Sequence, residues 1–167
     1  VYDQCSSFSE QMLAPDFPAI LIDYVEVEFL LAEALARGYS VGAGSAESHY
    51  NEAVTQSVLD WGGNMSEVAA YLAQAEIGYN TGSTAGDFRK KTGFQKWIAL
   101  YNRGLEGYAE WRRFDTPVFN IARNKTVNDI PMRMPYPYNE DNLNLANYTS
   151  ASAAIGGDLV SVKIFWD

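Results

Sequence analysis

From Asp23 to Gly38 apolar and polar residues alternate at helical intervals, with Tyr24, Val27, Leu31, Ala34 and Leu35 on one stripe and Glu26, Glu33 and Arg37 on another. The period predicts an amphipathic helix packed along the Tyr24 stripe. Asp23 and Glu26 stand at capping-box spacing, Ile22 and Val27 at staple spacing, and Gly38 where a left-handed terminator belongs. Glu33 and Arg37 form an i, i+4 pair in the favourable order. A second stripe, Tyr50, Val54, Ser57, Val58 and Trp61, predicts a helix from about Ala46 to Trp61, stopped by Gly62 and Gly63. The short "VGAGS" turn makes the two an αα-hairpin, whose shared face needs cover from later elements. Leu31, Ala32 and Leu35, followed by Ala46, Tyr50 and Ala53, have the spacing of a tetratricopeptide unit, and one such unit cannot cover its own core.

"SEVAAYLAQAE" predicts a third helix capped by Ser66, with a stripe of Val68, Tyr71, Leu72 and Ala75. A loop, "GYNTGSTAGD", separates it from a helix starting at about Phe88. There Phe94, Trp97, Ile98 and Tyr101 fall at i, i+3, i+4 and i+7, and Gly93 weakens the start. The last helix of the body follows Gly104, carries Leu105, Tyr108, Ala109 and Arg112 on one face, and ends before Asp115 to Pro117. Beyond it "IPMRMPYPYNEDNLN" is too rich in proline for a long helix. "NLANYTSAS" allows one short helical turn, and "LVSVKIFWD" alternates like a short strand or an extended segment pinned by Phe165 and Trp166. Pro15 and Pro18 make residues 1–19 an irregular lead-in. The expected fold is therefore all-α: tetratricopeptide-like hairpins over 20–114 and a proline-rich, mostly irregular tail over 115–167, in one domain.

Composition narrows the function. A net charge of -9 and few cations argue against nucleic acid, since binding there depends on lysine and arginine displacing counterions from phosphates. The cluster Arg89, Lys90 and Lys91 reads as a solvated surface. One cysteine, Cys5, excludes an internal disulfide framework and leaves the redox compartment open, and the absence of clustered Cys and His argues against a structural zinc site. Three sequons, at Asn64, Asn124 and Asn147, matter only in a eukaryotic secretory route.

Catalytic chemistry finds little support. Hydrolysis by paired carboxylates needs two of them facing a cleft, whereas Glu26 and Glu33 are expected on an exposed face as cap and ion-pair partner. His49, the single histidine, is expected on the polar, solvated side of its helix, and no serine motif accompanies it. Cys5 has no nearby cation to favour a thiolate. Neither a catalytic residue, a metal ligand nor a cofactor is assigned. Aromatic residues make up 14% of the chain, enough to raise binding as a role. Tyr50, Trp97, Tyr101 and Tyr108 sit on helical stripes and are expected in the core; Tyr79, Phe88, Tyr136 and Tyr138 fall in expected loops and are the ligand-binding candidates, or loop anchors. In "EWRRFDTP", Arg112 is expected to meet carbonyls or a carboxylate such as Glu33 or Glu110 at a joint between helix and tail.

Taken together, "DYVEVEFLLAEALARG", "HYNEAV" with "WGG", "FQKWIALYNRGLEGYAEWRRFDTP", "IPMRMPYP", "NLNLANY" and the terminal "FWD" resemble the SusD/RagB family of Bacteroidetes, in its C-terminal part. The resemblance covers the chain from Ile20 onward. It implies a noncatalytic, SusD-like lipoprotein at the outer-membrane surface, with tetratricopeptide-like pairs, that passes oligosaccharide or peptide to a TonB-dependent, SusC-like transporter. Cys5 follows Val-Tyr-Asp-Gln and does not match the family's acylated cysteine, so the chain is expected to be a C-terminal portion of a longer protein, itself soluble. The resemblance carries over no ligand residue. The alternative is a structural helical repeat that binds protein; an all-helical glycoside hydrolase is disfavoured by length and by the missing carboxylate pair.

Overall fold

A computed structural model describes residues 7–126 and 130–165. Cys5 and Trp166 lie outside them. Among the described residues there are eight helices and no strand: α1 (Glu10–Leu13), α2 (Tyr24–Ala36), α3 (Ala46–Asp60), α4 (Met65–Leu72), α5 (Phe88–Ala99), α6 (Gly104–Phe114), α7 (Glu140–Leu143) and α8 (Leu145–Ala154). The all-α expectation holds.

The helix ends follow from local chemistry. Asp23 caps α2 by accepting the Glu26 N–H at 2.7 Å, while Glu26, expected to complete the box, turns to Arg103 instead. Gly38, at φ +86°, lets its own N–H reach the Leu35 carbonyl and that of Tyr39 reach Ala34, the Schellman pattern. Gly62 and Gly63 end α3 in the same way on Leu59 and Val58. A capping box of Ser45 and Ser48 opens α3; Asn64 with Glu67, rather than Ser66, opens α4.

Helix α2 packs mainly on α3 and also on α5; α5 pairs with α6, and α4 leans on α3. At the centre lie Val25, Phe29, Ala32, Tyr50, Ala53, Val54 and Tyr79. The Tyr50 hydroxyl donates to the Ile77 carbonyl at 2.6 Å, which satisfies the polar tip of a fully buried ring.

Two faces differ from the expected ones. On α2 the buried line is Val25, Glu28, Phe29, Ala32 and Glu33, while Tyr24, Val27 and Leu30 are exposed, as is Ile22 of the expected staple. On α5 the buried residues are Lys91, Thr92, Gly93, Gln95 and Lys96, whereas Phe94 and Trp97 are half-buried and Ile98 and Tyr101 exposed. Both helices turn polar side chains inward, and all but Thr92, whose Oγ1 has no hydrogen-bond partner among the described residues, find one there. Lys91 Nζ donates to the carbonyl of Glu76 at 2.9 Å, Gln95 bonds the Tyr71 hydroxyl at 2.9 Å, and Lys96, 1% exposed at its side chain, pairs with Glu110 at 2.9 Å. Gly93 is needed for close approach: a Cβ there would stand 2.8 Å from Thr116 Cγ2 and 2.9 Å from Phe114 Cγ.

The tail is more ordered than expected. The residues expected to give one turn form the ten-residue α8, and α7 and α8 pack on each other. Segment 159–165 contains turns and no strand, and Phe165, expected to pin it, is 94% exposed. Asp158 organises this region, pairing with Arg133 at 2.5 Å and accepting the Tyr136 N–H at 3.1 Å. The tail is tied to α6 by the Tyr108 hydroxyl, which donates to the Pro131 carbonyl, and by Trp111 Nε1, which donates to the Pro117 carbonyl at 3.0 Å; Met132 is buried, and Lys163 folds back to pair with Asp115 at 2.7 Å.

Candidate functional site

Helix α3 stops at the Gly62–Gly63 terminator and leaves Trp61 as its cap residue, 39% exposed. Helix α5 runs into a tight turn in which Asn102 adopts φ +68°, leaving Tyr101 53% exposed. The two rings meet edge to face at 5.6 Å, and Phe17 from the lead-in stacks on Trp61 at 6.4 Å. Next to them Trp97 approaches Phe119 at 5.5 Å; Phe119 stacks on Trp111 at 4.9 Å, and Trp111 on Tyr108 at 6.2 Å. Three adjoining cavities of about 430, 610 and 740 Å³ surround this corner, and Trp61 and Ser57 border all three. Aromatic walls with a few polar neighbours suit an amphipathic ligand such as a sugar ring, which offers flat C–H faces to the rings and hydroxyls to the rim.

Behind this corner, α2, α5 and α6 are joined by ion pairs. Arg103 donates to Asp23 at 3.3 Å, to Glu26, and to the Leu21 carbonyl at 2.8 Å. Arg113 grips both oxygens of Glu33 at 2.6 Å and reaches Glu110 at 2.8 Å, and Arg37 bonds Glu33 at 2.7 Å. Burial pushes the Glu33 carboxyl up, but its bonds to Arg113 and Arg37 outweigh this and leave it below the usual carboxylate range. The carboxylates of Glu26 and Glu33, expected on a solvated face, thus face inward with cations. Glu33 and Glu110 meet Arg113 rather than Arg112, whose guanidinium lies 5.6 Å from the Tyr108 ring centroid. His49 is not solvated either: its Nδ1 lies 2.6 Å from Glu28 Oε2 and its Nε2 3.1 Å from the Ala43 carbonyl oxygen. These pairs leave the buried carboxylates occupied in holding helices together. Among the described residues no group of three or more His, Cys, Asp or Glu side chains could hold a metal ion, and no helix is long and apolar enough to cross a membrane.

The four loop aromatics singled out from the sequence are not brought together. Tyr79 is buried, 5.1 Å from Tyr50 in the core. Phe88 is the first residue of α5, edge-on to Phe114 at 6.3 Å with Arg37 5.1 Å from its ring centroid. Tyr136 packs edge-on to Tyr148 at 6.1 Å with Arg133 over its ring, and Tyr138 is 92% exposed in the tail. The cavity walls come instead from Trp61, Trp97, Tyr101 and Tyr108, which helical spacing places among core residues. One signal for them existed: Trp61 directly precedes Gly-Gly, and Tyr101 directly precedes Asn-Arg-Gly, so both stand at the last turn of a helix, where a neighbouring helix covers least.

Known structures share this architecture. A SusD-like protein of Bacteroidetes AC2a matches with a TM-score of 0.73 at 26% identity, over 95% of this chain and 32% of that one. A chitin-binding protein matches with a TM-score of 0.61 at 29% identity, over 86% and 32%. A SusD homologue from Bacteroides thetaiotaomicron matches with a TM-score of 0.66 at 27% identity, over 90% and 39%. The chain therefore spans between 32% and 39% of the length of these structures. No curated protein sequence matches. The family described as starch-binding and associating with the outer membrane matches residues 2–137, most of the chain, and the protein belongs to this SusD-like family.

Proposed function

We propose that the protein captures glycan without catalysis at the bacterial outer-membrane surface and passes it to a TonB-dependent, SusC-like transporter. Family membership supports capture of starch-like or chitin-like material, and the corner of Trp61 and Tyr101 with its three cavities carries the reading in this chain. The buried carboxylates all hold cations or His49, which fits a binding role better than acid-base hydrolysis. Peptide is the other ligand such aromatic walls suit.

Affinity electrophoresis and calorimetry with maltohexaose and chitohexaose test the proposal. Binding of either by the protein, lost at least about tenfold in Trp61→Ala while the helical circular dichroism is kept, is expected, since burying the apolar face of a large side chain is worth about 1.5–3 kcal/mol. Retention of full affinity by Trp61→Ala moves the site elsewhere. A second reading, a helical scaffold that binds another protein, is favoured by the exposed apolar row Leu21, Ile22, Tyr24, Val27 and Leu30, and it predicts no saccharide binding at all.

A further inference from the structure

Carboxylates outnumber cations around the Trp61 corner. Four carboxylates line the cavities, Asp23, Asp60, Glu67 and Glu106, against a single cation among the described lining residues, Arg103. That cation is spent: its side chain is 8% exposed and it is held by Asp23, Glu26 and the Leu21 carbonyl. Asp60 is bonded by the neutral amide of Gln56 at 2.6 Å, and Glu67 by the backbone N–H of Asn64 at 2.9 Å, so neither is neutralised. Glu106 is exposed in the first turn of α6.

Resting on the glycan-binding reading, we infer that this site takes neutral saccharides and rejects those carrying uronate or sulfate groups. An acidic sugar brought against Trp61 meets Asp60 and Glu106, and the one cation among the described lining residues, Arg103, is already held by two carboxylates. Like charges within several ångströms of each other weaken binding, and the penalty shrinks as salt shortens the screening length. A neutral pyranose incurs no such penalty, and the same carboxylates accept hydrogen bonds from its hydroxyls.

The test compares maltohexaose and chitohexaose with hexagalacturonate by calorimetry, at low and at high salt, in the protein and in its Asp60→Asn/Glu106→Gln variant. The expected result is binding of a neutral hexasaccharide at least about tenfold tighter than that of hexagalacturonate at low salt. The gap narrows by about threefold or more in the variant and also at high salt. Equal or tighter binding of hexagalacturonate overturns the inference and leaves glycan binding standing. So does a gap the variant does not change, because the discrimination then arises from other groups. Failure to bind any of the three sugars overturns the glycan-binding reading, and this inference with it.

Discussion

His49 shows how one side chain can link two helices in a pH-dependent way. Both of its ring nitrogens face acceptors, the Glu28 carboxylate from α2 and the Ala43 carbonyl from the α2–α3 turn, so the imidazolium is the form both contacts favour. The hydrogen bond to Glu28 is the main reason its folded-state pKa rises above the ordinary value; partial burial opposes it, and the Ala43 carbonyl adds to it. A raised pKa in the folded state stabilises the fold fully below the ordinary histidine value of 6.5, and the contribution is lost as pH rises through the folded-state value. Tyr24, close to the same carboxylate, donates to Glu52 at 3.4 Å, and its pKa is raised by partial desolvation and by Glu28 and Glu52. Urea denaturation of the protein and of His49→Ala at pH 6 and pH 9 is expected to show a stability difference about 1 kcal/mol larger at pH 6. A pH-independent difference sinks this account. In sequence the histidine reads as solvated because its partner lies 21 residues away on another helix, beyond the reach of any local pattern.

Among the elements, helix ends were legible, and so was the Tyr50, Ala53 and Val54 face of α3, but the faces of α2 and α5 were not. Asp23, Gly38 and Gly62 mark ends through bonds within their own neighbourhood, and the structure makes those bonds. A face is set by what packs against it. Helix α2 carries apolar residues on several sides, so periodicity allowed the Tyr24 stripe as readily as the Phe29 line, and inward carboxylates became affordable only because α6 and α5 bring Arg113 and Lys96 to meet them. The aromatic corner stayed hidden for the same reason: Trp97 and Tyr101 share core spacing, but the buried face of α5 is polar and Tyr101 lies in the turn beyond its end. Gly93 illustrates the point from the other side. Read along the helix it is a weak position, yet across the helix it is the contact that seats the end of α6 and the Thr116 turn. Gly93→Ala, which improves intrinsic helix propensity, is therefore expected to lower stability by about 1–3 kcal/mol, measured as a fall in melting temperature. A rise would show that Phe114 and Thr116 yield without cost.

Over the whole molecule, protection is expected to be uneven. Helices α2 and α3 share the apolar centre and the most extensive packing, whereas α7 and α8 pack on each other and have no buried residues. Amide hydrogen exchange should therefore be slowest in α2 and α3 and faster in α7 and α8, since local opening follows the number of buried contacts that must be broken. Uniform protection from Glu10 to Ala154 would contradict that division. The division matches what could be read from sequence at this scale: an all-helical body with strong periodicity, and a tail whose prolines conceal how much of it the Asp158 contacts organise.

The ion pairs that cross between α2, α5 and α6 also bear on how many arrangements those helices can adopt. Apolar contacts are not directional, but a buried ammonium such as that of Lys96 finds its carboxylates at one height only. Glu26, Lys96, Glu110, Arg113 and Glu33 thus act as a combination lock, whose fit fixes where the turn after α5 emerges and hence the angle at which the two exposed rings of the corner meet.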